Sequence, residues 1–232
     1  MKLTWFGHSA FRVDIAGAAI MIDPFIDNPT FKGDRKAAYR GATHVVLTHG
    51  HDDHLGSTLE ICRATGALLV ANWEICNYFA AKGVANYSPG NHGGTIDLDR
   101  FTLSFVGARH SSASVAEGMP PIYLGNPCGI VIKAPGEKTI LHLGDTDIFS
   151  DMALINEIHR PTIGIVPIGD RFTMGGRLAA MACKRFFAFE TAIPCHYGTF
   201  ALLDQTPDTF IEEMSGSKTQ VLVPERGKAV EL

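Results

Sequence analysis

Residues 3–6, 11–15 and 18–22 are short apolar or alternating runs separated by glycine, the pattern of strands in an opening meander. Residues 44–48 and 67–71 are nearly continuous apolar runs, as in strands buried on both faces. Between them, Leu55, Leu59 and Cys62 recur at helical spacing, predicting a helix over 55–65 that Gly66 ends. A second helix is predicted over 73–82, with Asn72 as N-cap and Gly83 as stop. Strand patterns return at 95–98, 101–106, 129–133, 139–143, 163–168 and 192–195, with helices expected over 149–158, 178–189 and 207–214. Strands mixed with helices in both halves predict an α/β protein with two packed sheets and helices outside. No repeat, low-complexity tract or linker-like run interrupts this pattern, so residues 1–232 are expected to form one domain.

Two connections are long. Residues 24–43 carry Lys32, Arg35, Lys36 and Arg40, and residues 111–128 are rich in glycine and proline. Loops of this length commonly serve as lids or binding loops. The charged group on the first also fits an ordinary solvated surface.

Composition narrows the function classes. With 46% hydrophobic residues the chain is not generally disordered, and a net charge of −4 argues against a dedicated nucleic-acid binder. No run is long enough to span a membrane, and the polar first residues do not resemble a secretory leader. The five cysteines include no C-x-x-C pair, which suits reduced thiols in the cytoplasm.

Histidine changes the picture. The segment His49-Gly50-His51-Asp52-Asp53-His54 follows a predicted buried strand and precedes a helix. Residues two apart in an extended chain point the same way, so His49 and His51 converge on one ion. The turn into the helix offers Asp53 and His54 to a second. Neutral imidazole with carboxylate suits zinc, manganese or iron rather than calcium. By this chain's composition, H-x-H-x-D-H arises by chance in roughly one sequence per thousand. Further ligands are expected at other strand ends, where open α/β sheets gather their sites. His110, Asp145 and His196 are the candidates.

These features, with Ile22-Asp23, resemble the metallo-β-lactamase superfamily. More narrowly, the chain is similar to metal-dependent hydrolases related to L-ascorbate-6-phosphate lactonase. That likeness rests on Gly7-His8-Ser9, Ile22-Asp23-Pro24-Phe25, His110-Ser111-Ser112, Gly125-Asn126-Pro127, Gly144-Asp145-Thr146-Asp147, Pro167-Ile168-Gly169-Asp170, Phe172-Thr173-Met174 and His196-Tyr197-Gly198-Thr199-Phe200. The resemblance implies an αββα sandwich with two divalent metal ions. It implies that His49, His51 and His110 hold the first ion, that Asp53, His54 and His196 hold the second, and that Asp145 bridges them. Asp23 would orient a ligating histidine from behind. Arg171 and Gly175-Gly176 depart from the family pattern.

Two adjacent ions lower the pKa of a shared water from 15.7 to near 7, so no serine or cysteine nucleophile is required. Asp53 is a candidate proton shuttle. The shared motif favours His8 at the mouth of the site, toward substrate, although a lone histidine is as a rule a core residue. Tyr197 is a candidate oxyanion donor, with packing as its plain alternative. Asp170 and Arg171 open a loop after a buried strand and are candidate substrate contacts. His44, His142 and His159 read as structural, and His92 as a turn residue. The expected activity is hydrolysis of a small-molecule lactone or ester. Phosphodiester hydrolysis, including nuclease chemistry, is the alternative, and a non-enzymatic metal-binding role is a third reading. Few cationic residues lie near the predicted strand ends, which disfavours a polymer substrate. The expected partner is a small molecule; a homo-oligomer is compatible with the sequence, while a membrane and nucleic acid are not expected.

Overall fold

The computed structural model describes residues 1–115 and 118–232. The chain opens with β1 (Lys2–Trp5), β2 (Phe11–Ile15) and β3 (Ala18–Ile22), an antiparallel meander. After α1 (Arg35–Ala38) come β4 (His44–Val46), α2 (Asp52–Leu55), α3 (Thr58–Thr65), β5 (Leu68–Asn72), α4 (Trp73–Ala81) and β6 (Tyr87–Gly90). The second half runs β7 (Thr95–Asp97), β8 (Thr102–Gly107), β9 (Ala113–Ser114), β10 (Ile122–Tyr123), β11 (Cys128–Lys133), β12 (Ile140–His142), α5 (Met152–His159), β13 (Ile163–Pro167), α6 (Gly176–Phe186), β14 (Thr191–Cys195), α7 (Asp208–Met214), β15 (Gln220–Val221) and β16 (Ala229–Glu231).

Two seven-stranded sheets result, ordered β16-β1-β2-β3-β4-β5-β6 and β15-β14-β13-β12-β11-β8-β7. The period-2 alternation decides which side chain faces which layer. Ile20, Ile22, Val46 and Val70 point between the sheets, onto Phe105, Ile130, Ile165 and Ile193. Their neighbours Met21, Val45, Leu69 and Ala71 face outward onto Ile61, Ile75, Cys76 and Phe79 of α3 and α4. Helices α5, α6 and α7 add Met152, Ala179, Cys183 and Phe210 to the core on the second sheet. The architecture is the expected αββα sandwich. Full burial of each Ile or Val contributes about 1.5–3 kcal/mol, so truncating Ile130 to alanine would cost about 2–5 kcal/mol. Among the described residues no helix is long and apolar enough to cross a membrane. All five cysteines are buried and free.

Several boundaries differ from the sequence reading. The helix expected over 55–65 is two helices, because Gly56 adopts φ +39° beneath Pro24 and Phe25. A Cβ there would lie 2.6 Å from the Phe25 Cα and the Pro24 carbonyl oxygen, so only glycine permits the close turn. The 24–43 loop contains α1, and the 111–128 loop contains the β9–β10 hairpin, with residues 116 and 117 outside the described residues. Strands β6, β15 and β16 were not anticipated; they are edge or near-edge strands, short, weakly apolar and, in β6, interrupted by Pro89.

The topology gathers the candidate residues at one end. Two antiparallel steps separate β1 from β3 and β8 from β12, so these strands point the same way as their parallel neighbours β4, β13 and β14. The segments leaving their C-terminal ends carry His8, Asp23, His49–His54, His110, Asp145, Asp170 and His196.

Candidate metal centre

The site begins at the end of β3, where Asp23 turns through φ +42° and is fully buried. Its carboxylate accepts from the Thr48 backbone N–H at 2.8 Å and from the Thr48 hydroxyl at 2.6 Å. With its proton so committed, the Thr48 oxygen accepts from His49 Nδ1 at 2.9 Å. The lone pair of His49 therefore lies on Nε2, which sits 2.9 Å from His51 Nδ1. Gly50 between them packs closely on the 111–128 loop: a Cβ there would lie 2.5 Å from that of Leu124. Its N–H donates to Ser112 Oγ, and Ser111 Oγ lies 3.2 Å from His51 Nε2.

His110 follows β8 and is fixed beside Asp145 by two bonds: Arg109 N–H to Thr146 Oγ1, and Asp147 N–H to the Arg109 carbonyl. Asp145 follows Gly144, whose φ of +64° sets it against the Cys128 carbonyl. Oδ2 of Asp145 is then 3.9 Å from His49 Nε2, 3.3 Å from His54 Nε2, 3.6 Å from His110 Nε2 and 3.0 Å from His196 Nε2. One carboxylate oxygen thus stands between the two groups proposed from sequence. His49, His51 and His110 form one compact set of donor atoms, and Asp53, His54 and His196 form another, which His8 joins.

The second set is the more deeply braced. His54 Nδ1 donates to Asp23 Oδ2 at 2.8 Å. His196 turns through φ +60° and its N–H donates to the His8 carbonyl. Gly169 presses on that turn so closely that a Cβ would overlap the His196 carbonyl oxygen. His8, expected at the mouth of the site, is fully buried, with Phe25 and Phe200 edge-on to its ring. Burial and the neighbouring His196 push its pKa down to about 4, so the ring is neutral. Its Nε2–H accordingly donates to Asp53 Oδ2 at 3.0 Å, while Nδ1 lies 3.1 Å from the Thr199 hydroxyl oxygen. Only the other Asp53 oxygen is free of this bond, which limits Asp53 as a proton shuttle.

Charge follows the same division. Burial, then the nearby His54, holds His49 and His51 below the usual histidine range, and burial does the same for His110. Burial opposes charge on His54 as well, but Asp145 and Asp23 on either side hold its pKa well above that range. Burial likewise opposes charge on Asp145 and Asp53. The neighbouring imidazoles of His196 and His54 outweigh it for Asp145, and the His8 bond and His54 do so for Asp53, leaving both carboxyls well below the carboxylate range.

The donor set fits metal ions. Buried His54 Nε2 and Asp145 Oδ1 have no hydrogen-bond partner, and that nitrogen lies 3.3 Å from Asp145 Oδ2. A cation at His54 Nε2 would replace the proton held between Asp23 and Asp145. Neutral His49, His51 and His110 are in the form that ligates.

Other candidates lie elsewhere. Tyr197 is turned away from the ligands: its ring packs on Trp5 at 5.4 Å and borders a cavity of about 920 Å³ with Arg12, Phe31 and Arg226. It is packed, as in the plain alternative, and burial raises its pKa to about 12. Asp170 and Arg171 occupy the loop beside His196, both at positive φ. Arg171 stacks over Phe172, and among the described residues no carboxylate pairs with it. Asp52, inside the histidine motif, instead anchors the hairpin through Ser114 Oγ at 2.7 Å and the Val115 N–H. His142 is buried in β12, and His92 Nε2 meets the Pro127 carbonyl. Sequence reasoning gave no role to Thr48, Thr199 or Ser114; hydroxyls beside ligand motifs were the available signal.

The family model for a β-lactamase superfamily domain matches residues 2–196. The chain belongs to the metallo-β-lactamase superfamily. It is 58% identical to a UPF0173 metal-dependent hydrolase of Chelativorans sp. (strain BNC1) and 55% identical to one of Sinorhizobium medicae. The first likeness covers the whole of both chains and the second covers 99% of each. Among solved structures, it is similar to Igni18, a metallo hydrolase of Ignicoccus hospitalis, at 36% identity and a TM-score of 0.88. That likeness covers 99% of this chain and 97% of the other. This superfamily member is a metal-dependent hydrolase.

Proposed function

We propose that this hydrolase opens a small-molecule lactone or ester at a centre of two divalent ions, zinc first among them. The observation that carries the reading is Asp145 Oδ2, which lies within 3.9 Å of nitrogens from both histidine sets. His49, His51 and His110 would hold one ion, Asp53, His54 and His196 the other, and Asp145 both. When bound, such ions lower the pKa of water and polarise a substrate carbonyl.

The chain's own residues supply the rest. Asp23 fixes the ring of His54 through Nδ1 and ties it to Thr48, which fixes His49 in turn. This is the supporting layer that ligating histidines require. His8 holds one oxygen of Asp53 and so fixes this carboxylate beside His54 and His196. The Ser111 and Ser112 hydroxyls lock the His51 turn and do not act as nucleophiles. Arg171, free of carboxylates among the described residues, is the cationic group offered to a substrate anion beside the His196 turn.

The test is elemental analysis of the purified chain, then a panel of lactones, esters and phosphodiesters at equal zinc and manganese loading. Two ions per chain and turnover of a lactone or ester, lost on chelation and restored by metal, are expected. Phosphodiester turnover far above every lactone and ester would overturn the reading.

A further inference from the structure

Large apolar side chains that remain exposed are ordinary when scattered and informative when they gather. Of fifteen such residues among the described ones, seven lie on segments at the ligand end: Val115, Met119, Ile122 and Tyr123 around the β9–β10 hairpin, then Phe172, and then Phe200 and Leu202. Each segment is tied to a candidate ligand. Phe200 stacks on Phe25 at 6.3 Å and meets the His8 ring at 5.5 Å, yet is 39% exposed. Ile122 pairs directly with Ser114 in the β9–β10 hairpin, so both side chains share a face. Ser114 Oγ binds Asp52, which places that face over α2 beside Asp53, and there Ile122 is 49% exposed. Phe172 follows Arg171 in the loop that Gly169 presses onto the His196 turn.

Apolar walls with a few convergent polar groups are the usual form of a small-molecule site. We infer that the substrate carries an extended apolar group, an alkyl or aryl chain next to the scissile carbonyl, and that Phe200 and Ile122 determine this preference. The inference rests on the ester- and lactone-hydrolase reading for its reaction, though not for its binding. A compact, highly hydroxylated substrate would leave these side chains in water.

The test uses the full zinc-loaded chain, with 4-nitrophenyl acetate and octanoate as substrates and the free carboxylates acetate and octanoate as calorimetric ligands. We expect octanoate to exceed acetate by at least about tenfold in kcat/KM and in affinity, since each sequestered methylene contributes measurably. Phe200→Ser and Ile122→Ser should each cut that ratio several-fold, with melting curves confirming the fold. Leu154→Ser, an exposed apolar position on α5, should keep it. Equal binding of the two carboxylates overturns the inference, as does a preference that both rim variants retain. Loss of self-association in those variants with an unchanged ratio overturns it as well and marks the rim as a contact between copies. A binding preference for octanoate without turnover of any ester or lactone upholds the apolar rim and refutes the reaction.

Discussion

His49, His51 and His110 face His54 and His196 across one carboxylate, yet the two sets are held in different ways. The first set is backed by hydroxyls, Thr48 behind His49 and Ser111 beside His51, and two of its three rings are partly exposed. The second is backed by ionisable partners, Asp23 behind His54 and His8 behind Asp53, and is buried apart from Asp53. A buried charge must be paired to persist. The second set therefore comes as a compensated network that is rigid before metal arrives. The first consists of neutral donors, two of them reached by solvent, fit for exchange of ligand and water. The difference teaches that equal numbers of candidate ligands conceal unequal preorganisation.

Asp145→Ala tests what the sets share. Metal content should fall at both positions, and activity by more than the roughly 10–100-fold typical of a supporting residue. Retention of two ions on elemental analysis would break the comparison at its centre. Asp23→Ala should separate the sets, weakening the second ion about 10–100-fold in competition with a chelator while the first changes less. Equal losses would show that Thr48 transmits the defect to His49.

His8→Ala should weaken the second ion by less than Asp23→Ala does, because it frees Asp53 without unpairing His54. It also carries a pH signature in the metal-free chain. A histidine held down at about 4 when folded takes up its proton near pH 6.5 only when unfolded. Folding stability should thus fall as pH drops from about 6.5 toward 4, by roughly 3 kcal/mol from this residue. Denaturant melts across that window should show a shallower fall in His8→Ala; an unchanged slope would mean that the ring is not buried neutral. The smallest effect is expected for Ser114→Ala. It removes one of two bonds from the hairpin to Asp52 and should raise KM a few-fold at unchanged metal content.

The sandwich was legible because β3, β4 and β5 announce two-sided burial through runs such as Val45-Val46-Leu47. The ligand candidates were legible because His49, His51, Asp53 and His54 are close in sequence, and because His110, Asp145 and His196 each follow a recognisable strand. The two-helix break at Gly56 was not, since its cause is the approach of Phe25, thirty-one positions earlier. For the same reason the fate of His8 and Tyr197 escaped local reading. Periodicity tells which residues are buried, but not that β1 delivers His8 to Asp53 while Tyr197 turns onto Trp5.

Among the described residues, eight other than glycine take a positive φ, and five of them are His8, Asp23, Asp170, Arg171 and His196. Each such residue costs on the order of 1–3 kcal/mol and persists because its surroundings insist on it. This bears on transplanting the centre into another protein. Of the seven candidate ligands only His196 is itself left-handed; His8 and Asp23 make such turns to brace Asp53 and His54, so copying the seven side chains alone would leave that support behind. A recipient scaffold must first reproduce these left-handed turns, and a designer would begin there, with the ligands added last.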